Sequence, residues 1–125
     1  MTASVFILLA LFGIKHFIAD FLMQYDYMFR DKGIYGAEGG LHHAGVHACW
    51  TFLILIPFVT STEQLLILPL FDFIAHYHID WAKININKKY KYTPADHKFW
   101  FWLGLDQLAH QITYIFLVGW VFFGL

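Results

Sequence analysis

Asp72-Phe73-Ile74-Ala75-His76-Tyr77-His78-Ile79-Asp80 decides the reading of this chain. Asp72, His76 and Asp80 recur every four residues inside an apolar run, and residues four apart share one face of an α-helix. Three other stretches repeat the pattern: His16 with Asp20, His43 with His47, and Asp106 with His110. His and carboxylate are the nitrogen and oxygen ligands that zinc, iron and manganese accept. Each stretch is long and apolar enough to sit in a bilayer, where an unpaired charge is costly and usually functional. The pattern therefore predicts a metal site inside a small all-α integral membrane protein.

Composition agrees. Of 125 residues, 59% are hydrophobic and 14% charged, against about 25% charged in soluble domains. The length suits one domain, here 1–125. A net charge of −1 without a basic block argues against nucleic acid as partner. The single Cys49 excludes an intrachain disulfide and a Cys-based zinc site, and is read as a packing residue. The apolar N-terminus lacks a preceding Lys or Arg and a clear cleavage site, so it reads as a retained span.

Four spans are expected, at about 4–29, 41–58, 63–84 and 97–124. The stretch Gly33-Ile34-Tyr35-Gly36-Ala37-Glu38-Gly39-Gly40 breaks the chain after the first. Ser61-Thr62-Glu63-Gln64 has the form of a capping box, and Pro69 is a candidate kink aiming Asp72 inward. Thr93-Pro94-Ala95-Asp96 has the form of another helix start, with Thr93 as N-cap.

Arg30 and Lys32 fall in the first loop and Lys88, Lys89 and Lys91 in the third, flanked by Lys83 and Lys98. Cytoplasmic loops collect positive charge, so the chain is expected in the inner (cytoplasmic) membrane with both termini outside. Trp81, Tyr90, Tyr92, Trp100 and Trp102 would form an aromatic belt at the inner interface. Counted at about 1.5 Å per residue, all four His/Asp sets reach the cytoplasmic half of the bilayer or its midplane. A four-helix bundle can bring them to one polar core.

The expected ligands are His16, Asp20, His43, His47, Asp72, His76, Asp80, Asp106 and His110. Four bare carboxylates are not tolerable in a low-dielectric core, which favours two divalent ions, zinc or else manganese or iron. His78 and His42 lie off the ligand faces, and His97 reads as a surface residue. Lys15 is placed to snorkel or to pair with a carboxylate. Gln24, Gln107 and Gln111 suit supporting roles behind the ligands.

The runs Lys15-His16-Phe17-Ile18-Ala19-Asp20-Phe21-Leu22-Met23-Gln24, His42-His43 with His47, Asp72-Phe73-Ile74-Ala75-His76, Ile79-Asp80-Trp81-Ala82-Lys83 and Asp106-Gln107-Leu108-Ala109-His110 carry a resemblance. Together they resemble a domain-of-unknown-function family of small bacterial and phage membrane proteins. That family is loosely similar to inner-membrane metal-dependent hydrolases, which implies a hydrolase without identifying its substrate.

The leading expectation is a membrane-embedded metal-dependent hydrolase acting on a lipid-borne ester, phosphoester or amide near the inner leaflet. Asp20 or Asp80 would be the catalytic base. Membrane lipid is the expected partner, and a homo-oligomer is open. The Gly-rich loop is a candidate lid, with a plain connector as the alternative. The alternative function is a metal-ion transporter or transporter subunit. The outer halves of the spans lack His and carboxylate and so form a dry plug, which ranks transport lower. A third reading is a structural subunit whose polar core fixes helix register.

Overall fold

The computed structural model describes residues 1–124. Five α-helices and no strand occur among the described residues: α1 (Thr2–Phe17), α2 (Asp26–Asp31), α3 (Glu38–Leu55), α4 (Thr62–Tyr90) and α5 (His97–Phe123). The four long helices form a closed ring in which α1 and α4 each contact both α3 and α5, while short α2 packs on α3. The all-helical architecture and the polar His/Asp core agree with the sequence reading.

Local chemistry sets the helix ends. Ser61 caps α4 by accepting from the Gln64 amide at 3.4 Å, as half of a capping box does. Lys91 and Gly124 close α4 and α5 in the left-handed conformation. Helix α4 continues through Pro69, so the candidate kink does not interrupt it. The expected helix start at Thr93 lies one turn early. Asp96 accepts from the Thr93 amide and hydroxyl, closing a turn, and α5 begins only after Asp96.

The first segment departs furthest from expectation. In place of one helix to residue 29, α1 widens at Ile18–Leu22 into a turn in which the Met23 amide donates to the Ile18 carbonyl. This five-residue spacing is a π turn, a feature often found at functional sites. It carries Asp20 and ends the helix, and α2 restarts at the charged stretch from Asp26.

The interior has two ends. Leu8, Phe12, Leu55, Val59, Leu68, Tyr114, Leu117 and Val118 form one apolar cluster. The buried His and Asp residues occupy the other end. Many large apolar side chains face outward, among them Phe6, Phe21, Leu66 and Ile115. Cys49 is exposed on α3 and is not part of the core. One helix, Thr2–Leu22, is long and apolar enough to cross a membrane by length and composition.

The Gly-rich segment is pinned. Tyr77 Oη accepts from the Gly36 amide at 2.7 Å, and Asn85 donates to the Gly33 carbonyl at 3.0 Å. Gly39 lies inside α3, where a Cβ would stand 2.4 Å from the Tyr27 carbonyl oxygen. Its lack of a side chain lets α2 approach α3. These contacts fit a packed connector better than a mobile lid.

Candidate metal centre

Three elements converge on one point. The wide turn after α1 supplies Asp20, α3 supplies His43 and His47, and α4 supplies His76. His43 Nε2 and His47 Nε2 each lie 3.0 Å from Asp20 Oδ1. His76 Nε2 lies 3.1 Å from His43 Nε2 and 3.8 Å from Asp20 Oδ1. A tetrahedral ion bound at about 2.0–2.1 Å separates its ligands by about 3.3–3.4 Å. The observed spacings scatter around that value, and all four ligand atoms lie within 4.8 Å of one another. This group of buried His and Asp side chains can hold a metal ion.

Two further groups adjoin it. Asp80, Asp106 and His110 form one, with His110 Nε2 3.4 Å from Asp80 Oδ1 and 3.7 Å from Asp106 Oδ1. His16, His76 and His110 form the other. The rings are continuous, because His76 stacks on His47 at 3.5 Å between centroids and on His110 at 4.2 Å. Asp80 borders the first group as well, with Oδ2 3.4 Å from His43 Nε2 and 3.3 Å from His76 Nε2.

His16 is already engaged. Its Nδ1 lies 2.8 Å from the Tyr114 hydroxyl, and its Nε2 lies 3.2 Å from both Gln107 Oε1 and Asp20 Oδ2. Both acceptors face Nε2, so that nitrogen carries the proton and the Tyr114 hydroxyl donates to Nδ1. His16 therefore orients the Asp20 carboxylate, as the partners behind metal ligands do. Gln107 also donates to Asp106 at 3.0 Å.

Lysines change the charge arithmetic. Lys15 Nζ pairs with Asp72 Oδ2 at 2.5 Å, Lys32 with Asp80 at 2.6 Å, and Lys83 with Asp106 at 3.4 Å. Asp20 alone among the four core carboxylates has only histidine partners among the described residues. The expectation of two ions rested on four unpaired carboxylates. With three of them paired to lysine, that charge argument no longer requires a second ion.

Asp72 stands apart from the other expected ligands. It lies one turn from His76 on the same face, yet it accepts from Lys15 and from Thr51 Oγ1 at 2.6 Å. It joins none of the potential ligand groups. A buried carboxylate takes a fixed ammonium and hydroxyl in preference to a neutral imidazole. The remaining expected ligands (His16, Asp20, His43, His47, His76, Asp80, Asp106 and His110) are drawn together. His42, His78 and His97 are outside the cluster. His42 meets Tyr27, His78 bonds the Ile74 carbonyl and Tyr35, and His97 is exposed. Gln111 is exposed and does not support the ligands.

Sequence reasoning missed Lys32, Thr51 and Tyr114. Lys32 reads as a loop cation, yet its side chain is buried against Asp80. The signal available for it was the excess of core carboxylates over core cations.

No curated protein and no solved structure matches this chain. A family model described as "Protein of unknown function (DUF3307)" matches residues 7–123, and so spans every residue of the centre. The chain belongs to that family of unknown function.

Proposed function

We propose that this protein is a membrane-embedded, metal-dependent hydrolase of a lipid-borne ester, phosphoester or amide. The observation that carries the reading is the convergence of His43, His47 and His76 Nε2 with Asp20 Oδ1 from three separate elements. A single ion, zinc or else manganese or iron, would sit among these four atoms, with His110, Asp80 and Asp106 as a second, weaker position. Held by these four atoms, a divalent ion would need to expand beyond four-coordinate to take a water, and would then polarise the scissile group and make that water nucleophilic near neutral pH.

The chain's own residues would do the rest. Asp80 Oδ2 faces the same histidines, and Lys32 holds it as a carboxylate. It is the proton acceptor in this reading, while Asp20 serves as ligand with His16 fixing its geometry. The water oxygen bonds to the acyl carbon or phosphorus, and the bond to the leaving alcohol or amine breaks. The proton taken by Asp80 passes to the leaving group.

A multi-pass setting is supported by the apolar composition, by the outward-facing Phe, Leu and Ile residues, and by Thr2–Leu22. Polar stripes hold the other long helices below the hydropathy of a simple span, as expected where the polar face is turned inward. Lys88, Lys89 and Lys91 favour the loop between α4 and α5 inside and both termini outside.

Transport of the ion itself is the competing reading, and the apolar cluster at the far end of the bundle weighs against it. Purified protein in liposomes decides between them. Product release from a lipid ester, phosphoester or amide that is lost in His76→Ala, without metal flux, is expected. His76-dependent metal flux with no turnover of any lipid class would overturn the hydrolase assignment.

A further inference from the structure

Two cavities adjoin between α2, α4 and α5. The outer one, about 390 Å³, is lined by Arg30, Lys83 and Lys88 together with the aromatic rings of Phe29, Tyr92 and Phe99. The inner one, about 140 Å³, reaches Asp20, Lys32 and Gln107. Phe29, Lys83, Ile84 and Leu103 line both, so the two are successive parts of one cleft.

This cleft ends at the metal centre. Asp20 keeps 12% of its side-chain surface exposed, whereas the side chains of His43, His47 and His76 are almost wholly covered. The inner cavity lies against that exposed carboxylate.

The lining has a definite chemistry. The outer cavity presents three cations and no carboxylate. Arg30 shares its charge with Asp31, which stands outside the lining, and Lys83 leans on Asp106. Lys88 has no acidic partner among the described residues. Between these cations stand aromatic and aliphatic walls. A volume near 390 Å³ falls within the range of about 300–1,000 Å³ typical of small-molecule sites. Cations alternating with apolar surface suit an anionic headgroup attached to a hydrocarbon chain. A free anion gains nothing from the rings, and a neutral lipid gains nothing from the lysines.

We propose that this cleft admits a single-chain lipid phosphate, its anionic group running along Arg30, Lys88 and Lys83 toward Asp20. Phe29, Tyr92 and Phe99 cover the first part of its chain. Only the fate of the ligand at Asp20 rests on the hydrolase reading; binding in the cleft does not.

Dodecylphosphonate tests the proposal, because its carbon–phosphorus bond resists hydrolysis and the metal-loaded protein can be used unchanged. Binding is measured by titration in neutral detergent, with dodecanol and methylphosphonate as the neutral-lipid and free-anion arms. Saturable binding of dodecylphosphonate well above both is expected. Arg30→Ala and Lys88→Ala should each weaken it about fivefold, the usual worth of one cation near an anionic headgroup. Both side chains are exposed, so the variants should keep their fold and metal content, which melting curves and mass spectrometry confirm.

Equal binding of methylphosphonate would make this a free-anion site and overturn the proposal. Dodecylphosphonate binding no tighter than dodecanol, or unchanged in both variants, would overturn it as well. Phosphonate binding that depends on both cations, with no turnover of any lipid ester, supports the cleft and removes only the hydrolase reading.

Discussion

Lys15 and Asp72 join α1 to α4 across the bundle, between long helices that face each other across its ring. Their side chains are almost completely buried, and Thr51 donates to the same carboxylate oxygen. Lys15 Nζ also stands 4.7 Å from the centre of the Tyr114 ring, within cation–π range. Tyr114 in turn donates to His16, which orients Asp20. The diagonal pair therefore forms the structural floor beneath the candidate metal centre.

Breaking this pair should destabilise the protein without emptying the centre. Lys15→Met leaves a buried carboxylate without its ammonium, a loss of about 3–5 kcal/mol. The double variant Lys15→Met/Asp72→Leu removes both charges and should recover most of that loss. Thermal unfolding in detergent reads the difference. Metal content of the double variant should match the parent, because Asp72 is engaged by Lys15 and Thr51 and joins none of the potential ligand groups. A double variant that folds but carries no metal would restore Asp72 to the ligand set.

The ligand assignments order a second series. His43→Ala, His47→Ala and His76→Ala each remove one of the nitrogens proposed to coordinate the ion and should abolish stoichiometric metal. His16→Ala removes only the residue that orients Asp20, for which a loss of about 10–100-fold in affinity is usual. Asp106→Asn should act more weakly than any of these. One metal per chain in the parent protein, by mass spectrometry, is the expected stoichiometry. Two tightly held ions would reinstate the dinuclear reading.

The spacing of His and Asp made most of this centre legible in the sequence. Residues four apart name His16/Asp20, His43/His47, Asp72/His76/Asp80 and Asp106/His110, and the structure gathers all of these except Asp72. Spacing cannot reveal which carboxylate meets a lysine, because those partners are distant in the chain. Lys15 and Asp72 are 57 residues apart. Lys32 was hidden by position, since a cation beside a Gly-rich connector looks solvated. The wide turn at Ile18–Leu22 left no mark either, because an extra residue in a helical turn changes neither composition nor apolar periodicity enough to be read.

Close approach of α2 to α3 predicts a contrast between two glycines. A Cβ at Gly39 would meet the Tyr27 carbonyl oxygen at 2.4 Å and Met28 Cα at 2.9 Å, both backbone atoms that cannot rotate away. Gly39→Ala should therefore cost about 1–3 kcal/mol through displacement of α2. Gly45, also in α3, has nothing within 4 Å of its Cβ position. Gly45→Ala should stabilise the helix by about 0.5–1 kcal/mol. Melting temperatures moving in opposite directions would bear this out. Equal effects would mean that α2 does not rest on α3 as described.

Lys32 supplies the most informative test of how charge and metal are coupled. Its ammonium lies 2.6 Å from Asp80 Oδ2, beside His43 and His76. Without metal, Lys32 is the principal counter-charge for Asp80. With metal bound, the ion takes over much of that role. Lys32→Met should therefore destabilise the metal-free protein by about 3 kcal/mol or more, as loss of one buried partner does. The metal-loaded protein should lose clearly less. By linkage, the same variant must bind metal more tightly relative to its own apo state, since a ligand that favours the folded form adds to its stability. Unfolding curves of parent and variant, each with chelator and with added zinc, give all four values. Equal destabilisation in both states would show that Lys32 is only a structural partner of Asp80, with no electrostatic link to the ion.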